Sequence, residues 1–323
     1  MSHSSYPSNR PASPTIPVIP SVWRRILDSD LFYSFIRKPV IVVSAILVIV
    51  LVSLAFLAPW IAPHTPFDAA SLNLMDGFTP PATANEFTGN TYLLGTDSQG
   101  RDVLSAIMYG ARISLIVGFA SVAFAAILGI GLGLLAGYRG GWVDGLIMRI
   151  ADVQLSFPAI LVALLIFGIF KGVLPPQVQQ DAAIYVLIIS IGLSDWVQYA
   201  RTVRSSTLAE KNKEYVQAAR LFGVPAPLIL LRHILPNVMG PVLVIGTIGL
   251  ALAIILESTL SFLGVGIPPT QPSLGTLIRV GQDFLFSGEW WITLFPALTL
   301  LVLALSVNLL GDWLRDALNP RLR

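Results

Sequence analysis

The feature that most limits what this chain can fold into is a series of long runs without a charged side chain. Val40–Ala62, Ile113–Tyr138, Gln154–Phe170, Leu235–Leu256 and Trp291–Leu310 carry none, and Ala182–Ala200 carries only Asp195. A helix crosses the hydrocarbon of a bilayer with about 20 apolar residues at about 1.5 Å of rise each. Lipid offers no hydrogen bonds, so a spanning segment must close its own backbone bonds, which a helix does. The expected fold is therefore an all-α membrane protein with six transmembrane helices. Composition agrees: 54% of residues are hydrophobic and 12% charged, where a soluble domain carries about 25% charged residues.

The same numbers exclude several functions. Cysteine is absent, which removes disulfides, thiolate metal sites and cysteine nucleophiles. His3, His64 and His233 are too far apart for a metal-ligand spacing. Net charge is only +2, and no basic stripe with interleaved aromatics points to nucleic acid.

In chain order, residues 1–22 hold five Pro and six Ser and read as a flexible tail, too poor in apolar groups to offset ordering entropy. Residues 23–38 mix aromatics with Arg24, Arg25, Arg37 and Lys38 as an interfacial lead-in. The first span covers 39–62 and is too long, and placed too late, for a cleaved leader. Residues 63–111 form a polar excursion, in which Thr96 or Asp97 is expected to cap a helix starting near Gly100-Arg101. Five further spans fill 112–311, with a Gly/Pro-rich loop at 261–282, and 312–323 is a C-terminal tail. With both termini placed in the cytoplasm, sixteen Lys and Arg fall on the inner side and four (Arg101, Arg112, Lys171, Arg279) on the outer. That is the orientation the positive-inside rule selects.

Gly131-Leu-Gly133-Leu-Leu-Ala136 has the spacing of a dinucleotide fingerprint, but that motif needs a strand before it and lies here inside a span. Gly129, Gly133 and Gly137 at four-residue spacing read better as a ridge of small residues for close helix packing. No GxxxxGK[ST] occurs, so if ATP drives this protein the ATPase is another chain. Asp97, Arg101 and Asp102 form an acidic-basic cluster read as a cap with local ion pairing, or as an outer docking point. Asp195 and Glu257 lie at membrane depth, where such groups face protein or a water-filled cavity. Arg201 is the expected partner of Asp195, and a pathway-lining or structural role is expected for both acids.

The segment Glu214–Pro236 interrupts the apolar part of the chain with charge. Tyr215, Ala218, Ala219 and Phe222 recur at i, i+3, i+4, i+7 on one expected helix face. Gly223 falls where a helix ends in the left-handed conformation, Pro225 where a second short helix begins, running to about Arg232, and Pro236 opens the next span. By physics alone such a helix pair rests on the bilayer or docks a partner, since both use an amphipathic face.

This stretch resembles the EAA loop of ABC importer permeases. Gln217-Ala218-Ala219, Gly223 and Leu235-Pro236 match the family spacing, with Gln217 where Glu is usual and His233 where Ile is usual. Glu214 stands one helical turn before Gln217. The likeness extends over nearly everything after Leu93. LLGTDSQGRDVLSAIMYGARISLIVG, GYRGGWVDGLIMRIADVQLSFP, ESTLSFLGVGIPP and NLLGDWLRDALNPRLR are similar, in that order, to the C-type permease of oligopeptide, dipeptide and nickel importers. The resemblance implies a type I ABC importer permease fold, with residues 210–236 as the coupling loop and Glu214, Gln217, Ala218, Ala219, Gly223, Leu235 and Pro236 at the ATPase contact. It also implies a heterodimer with a B-type permease, two cytoplasmic ATPase subunits that bind ATP and Mg, an extracytoplasmic solute-binding protein, and a bacterial inner-membrane location. No cofactor is expected in this chain itself. The alternatives are a secondary transporter or channel driven by an ion gradient, which calls for inverted repeats and midplane charges, and a membrane enzyme, which calls for a clustered catalytic site.

Overall fold

The structure is a computed structural model and describes residues 34–68, 72–268 and 270–318. The N-terminal tail and most of the interfacial lead-in lie outside the described residues.

α1 is Pro39–Phe56 and α2 Ala58–Ile61. α3 is Val103–Arg139, α4 Gly141–Leu155, α5 Ala159–Val173 and α6 Pro176–Glu210. α7 is Glu214–Leu221 and α8 Ala226–Ile229. α9 is Leu235–Phe262, α10 Leu274–Gln282 and α11 Trp291–Leu318. Among the described residues, five helices are long and apolar enough to cross a membrane, or six if α4 and α5 together make one span.

α3 is the hub. It contributes to each of four buried clusters: with α1, α9, α10 and α11, with α6 to α9, with α5, α6 and α9, and with α4 and α6. At 37 residues it is longer than a bilayer requires, and its first two turns stand in the polar loop. α1 is apolar all round and buries only Ile41, Ser44 and Ala55. A helix like that is at home in lipid and would be insoluble on a water-facing surface.

Several boundaries differ from the sequence reading. The residue capping α3 is Asp102, whose Oδ2 accepts from Ser105 N at 2.9 Å, not Thr96 or Asp97. The run Gln154–Phe170, expected as one span, crosses the break between α4 and α5, two helices bent by 98°. Pro158 forces the break: it has no N–H to donate, and its ring pushes Phe157 away from helical geometry. The Gly/Pro-rich loop contains α10, with Ser273 as its N-cap. The tail read as following the last span is helical through Leu318, a continuation of α11.

The separate second helix expected after Pro225 also gives way. α8 passes through a π turn at Leu230–Ile234 straight into α9. Pro236 explains the wide turn, because it offers no N–H to the carbonyl four residues back. Leu235 N bonds Leu230 O instead, and Asn237 Nδ2 donates to His233 O at 2.7 Å.

Candidate coupling surface and polar ties

At one end of the bundle α7 shares a buried cluster with α3, α6 and α9. It is anchored on the inside by Val216 and Ala219, which join Leu134 of α3, Tyr199 and Val203 of α6, and Ile229, Ile234 and Val238 in one cluster. The buried face of α7 is therefore Val216 and Ala219. Of the expected face, only Ala219 is buried, Ala218 is half-buried and Tyr215 and Phe222 are exposed.

The end of α7 is a full Schellman turn. Val224 N donates to Ala219 O at 3.1 Å and Gly223 N to Arg220 O at 3.0 Å. Gly223 sits at φ +74° with open space where a Cβ would be, so the backbone conformation is what requires glycine. The turn holds Leu221 at 89% and Phe222 at 86% exposure. Two large apolar side chains stand clear of the protein outside the spans.

Polar contacts tie α7 to its neighbours. Tyr215 Oη donates to Glu210 Oε2 at the end of α6 and accepts from Asn237 Nδ2 at 3.1 Å. Burial and the bond to the Glu210 carboxylate push the Tyr215 phenol up to about 12. The Arg220 guanidinium lies 4.8 Å above the ring of Tyr138 on α3, and Lys211 Nζ donates to Gly137 O at 2.7 Å. Gln217 folds back locally, donating to Asn212 O at 3.0 Å, and Glu214 is exposed at the first turn of α7. Leu235 and Pro236 begin α9 beyond the π turn.

The ridge of Gly129, Gly133 and Gly137 meets α6 directly. A Cβ on Gly133 would stand 2.6 Å from Ala200 O, and on Gly137 2.7 Å from Thr207 Cβ. On Gly129 it would stand 2.5 Å from Tyr199 Cβ, whereas on Gly131 it meets nothing within 4 Å. Backbones approach this closely only where side chains are missing.

Sequence reasoning missed the fastening of α4. The Arg204 guanidinium grips the Asp144 carboxylate with two nitrogens, and Arg201 pairs with Asp152. Gln154 Nε2 donates to Leu193 O at 2.7 Å and its Oε1 accepts from Trp196 Nε1 at 2.8 Å. α4 is thus stitched along α6. Arg201 turns to Asp152 rather than to Asp195, which stays half-buried on α6, one turn before Tyr199. The i, i+3 spacing of Arg201 and Arg204 was the available signal, with Asp144 and Asp152 eight residues apart on α4.

Glu257 is fully buried, at 0% exposure. Its Oε2 accepts from Ser114 Oγ at 2.7 Å and its Oε1 from Ser261 Oγ at 2.7 Å. Ser114 Oγ also accepts from Leu274 N at 3.3 Å, so this carboxylate ties α3, α9 and α10 together. Asp97 and Asp102, at 8% and 3% exposure, likewise serve the fold. Asp97 Oδ1 accepts from Gln99 N at 2.8 Å and Arg101 N at 3.0 Å, and burial raises its pKa. Arg101 lies over the Phe67 ring. Asp97 thus closes a backbone turn and Asp102 a helix cap, with both carboxylates enclosed.

Comparison with known proteins places this arrangement. Residues 129–323 match the family model described as binding-protein-dependent transport system inner membrane component. Residues 21–81 match the N-terminal TM domain of oligopeptide transport permease C. The chain is 35% identical over 315 residues to a di/tripeptide transport system permease protein of Pseudomonas aeruginosa, across 98% of this chain and 97% of that one. It is 40% identical over 281 residues to a putative peptide transport system permease protein of Brucella suis, across 87% of this chain and 88% of that one. Among solved structures, an inward-facing conformation of the MetNI methionine ABC transporter is similar in fold. It has TM-score 0.52 and 18% identity, over 66% of this chain and 96% of that chain.

Proposed function

This chain belongs to the binding-protein-dependent transport system inner membrane components, the permease subunits of ABC importers, and from that premise we propose that it carries peptides or a related small solute by alternating access. Relatives named as di/tripeptide and peptide permeases support the solute class. The permease is a multi-pass inner-membrane protein and not itself a catalyst; it works with ATPase and solute-binding-protein partners. In the finer reading it pairs with a B-type permease over two ATPase subunits that bind ATP and Mg. Both its termini and α7 face the cytoplasm, as the charge balance supports.

The observation that carries the reading is the two-sided character of α7. Its inner face shares one buried cluster with α3, α6 and α9. Its outer rim presents Leu221 and Phe222 at a rigid Schellman turn. A partner that seats this rim and moves it displaces the ends of three spans together, because packed side chains shift as units. Ligand energy can bias a two-state element of this kind.

The test is to replace Gly223 by leucine, which strains the turn by about 1–3 kcal/mol and adds bulk on the docking rim. The expected outcome is loss of ATP-driven peptide uptake with weakened ATPase co-purification. Wild-type uptake with the ATPase retained would falsify the coupling assignment. Uptake that persists without ATP but follows an ion gradient would turn the reading toward a secondary transporter.

A further inference from the structure

At the end of the bundle opposite α7, a cavity of ≈ 190 Å³ opens between the end of α5, the start of α6 and the loop after α9. Its lining includes Lys171, Gln179, Gly264 and Arg279, with Phe167 and Val186 as apolar wall. Among the described residues, no Asp or Glu is part of it. Among the described residues, neither Lys171 nor Arg279 has a salt-bridge partner.

That concentration of charge is unusual for this chain. Only four of its twenty Lys and Arg lie on the sparsely charged side, and two of them line this one cavity. A Cβ on Gly264, at φ +78°, would stand 2.9 Å from Arg279 Nη1 and 3.2 Å from Cζ, so the guanidinium rests on the Gly264 backbone. Gln179 Nε2 donates to Lys171 O and Leu174 O, both at 2.9 Å, fastening the end of α5 that carries the lysine. Both side chains are exposed and stand beside an apolar wall with no acid in the lining, so an oxyanion entering between them would gain two charge-assisted partners. The volume is below the roughly 300–1,000 Å³ of pockets that enclose a whole ligand. It suits one end of a molecule.

We propose that this cavity is an anion subsite that receives the carboxylate of the transported solute on the side where it enters. Arg279 and Lys171 are its binding residues. The proposal rests on the transport reading above and on its orientation. The same oxyanion chemistry is available from a lipid phosphate, so the experiment separates the two sources.

The intact complex, with its partner permease, ATPases and binding protein, is reconstituted in vesicles of neutral phosphatidylcholine. Acetylation of Lys171 is followed by mass spectrometry with added dialanine or dialanine amide, and ATP-driven dialanine uptake is measured in parallel. The expected result is that dialanine slows acetylation several-fold while the amide does not. Arg279→Gln removes that protection, and both Arg279→Gln and Lys171→Gln raise the half-saturating solute concentration roughly tenfold, the loss of one charge-assisted hydrogen bond. Equal protection by acid and amide, or none, overturns the proposal. So does protection that appears only when anionic phosphatidylglycerol is added, which assigns the cavity to a lipid headgroup. Normal uptake without protection sinks this subsite alone, whereas absent dialanine uptake in the unaltered complex sinks the peptide reading and the subsite with it.

Discussion

Ser114 Oγ donates to Glu257 Oε2 across 2.7 Å, joining α3 to α9 at a carboxylate that no solvent reaches. The serine is also an acceptor for Leu274 N at the start of α10. One hydrogen-bonded pair thus closes the junction of three elements, and an ionisable side chain at membrane depth finds its partners entirely within the protein.

Removing that carboxylate leaves buried hydroxyls without acceptors. Glu257→Ala should cost on the order of 2–4 kcal/mol, the range for breaking a buried hydrogen-bonded network. Glu257→Gln keeps the shape and one acceptor, and should cost less. Thermal unfolding of the detergent-solubilised protein measures both. Equal melting temperatures for the two variants and the parent would remove Glu257 from the structural account.

The glycine ridge gives a paired test on one helix. Gly133→Val places a Cβ 2.6 Å from Ala200 O and should destabilise by about 1–3 kcal/mol or more through overpacking. Gly131→Val has open space and should stay within about 0.5 kcal/mol. If both variants melt alike, close approach of α3 and α6 is not what selects glycine.

Docking through the exposed rim of α7 makes a different demand. Phe222→Ser should leave the melting temperature of the isolated subunit unchanged, since the ring touches little of its own chain. ATPase co-purification should weaken by about 2 kcal/mol, the scale of an aromatic hot spot. Pull-down at matched expression reads this out. Undiminished ATPase recovery from Leu221→Ser combined with Phe222→Ser would point the docking surface elsewhere.

The polar loop carries a pH signature. Burial raises the pKa of Asp76, but hydrogen bonds from Thr88, Asn90 and Tyr92 outweigh it, and the carboxyl sits below its ordinary 3.8. A depressed carboxyl contributes stability above 3.8 that is lost as pH falls through its folded value. Burial and the bond to Asp76 push the Tyr92 phenol up to about 12. That contribution is present below the ordinary 10.0 and lost as pH rises through about 12. Asp97, raised by burial, works against Asp76 in acid. The loop should therefore hold across the neutral range and open in alkali, and Asp76→Asn should lower the Tyr92 transition. Tyrosinate absorbance of Asp76→Asn against the parent checks this. An unchanged alkaline titration would mean that the two side chains are not coupled.

Much of the site was legible because its signals are local. Gly223 reads as a helix end from spacing alone, and Gly129, Gly133 and Gly137 read as a packing ridge from a four-residue period. Which side of α7 turns inward is not legible, because periodicity gathers Tyr215, Ala218, Ala219 and Phe222 on one face without stating what lies opposite; the fold buries Val216 and Ala219. Which of Thr96, Asp97 and Asp102 caps α3 is not legible, because all three offer the same chemistry within a few residues and only the start of the helix selects Asp102.

What the sequence by itself determined is the solvent and the spans, because the cost of placing a segment in lipid sums residue by residue along the chain. What only the tertiary structure decided is which polar groups meet. Asp144 reaches Arg204, Asp152 takes Arg201 from Asp195, Ser114 finds Glu257, and Lys171 and Arg279 come to line one cavity. A helical period states which residues share a face. It does not state which face lies opposite, and in a bundle that choice is made by close packing and by the need to satisfy every buried polar group at once.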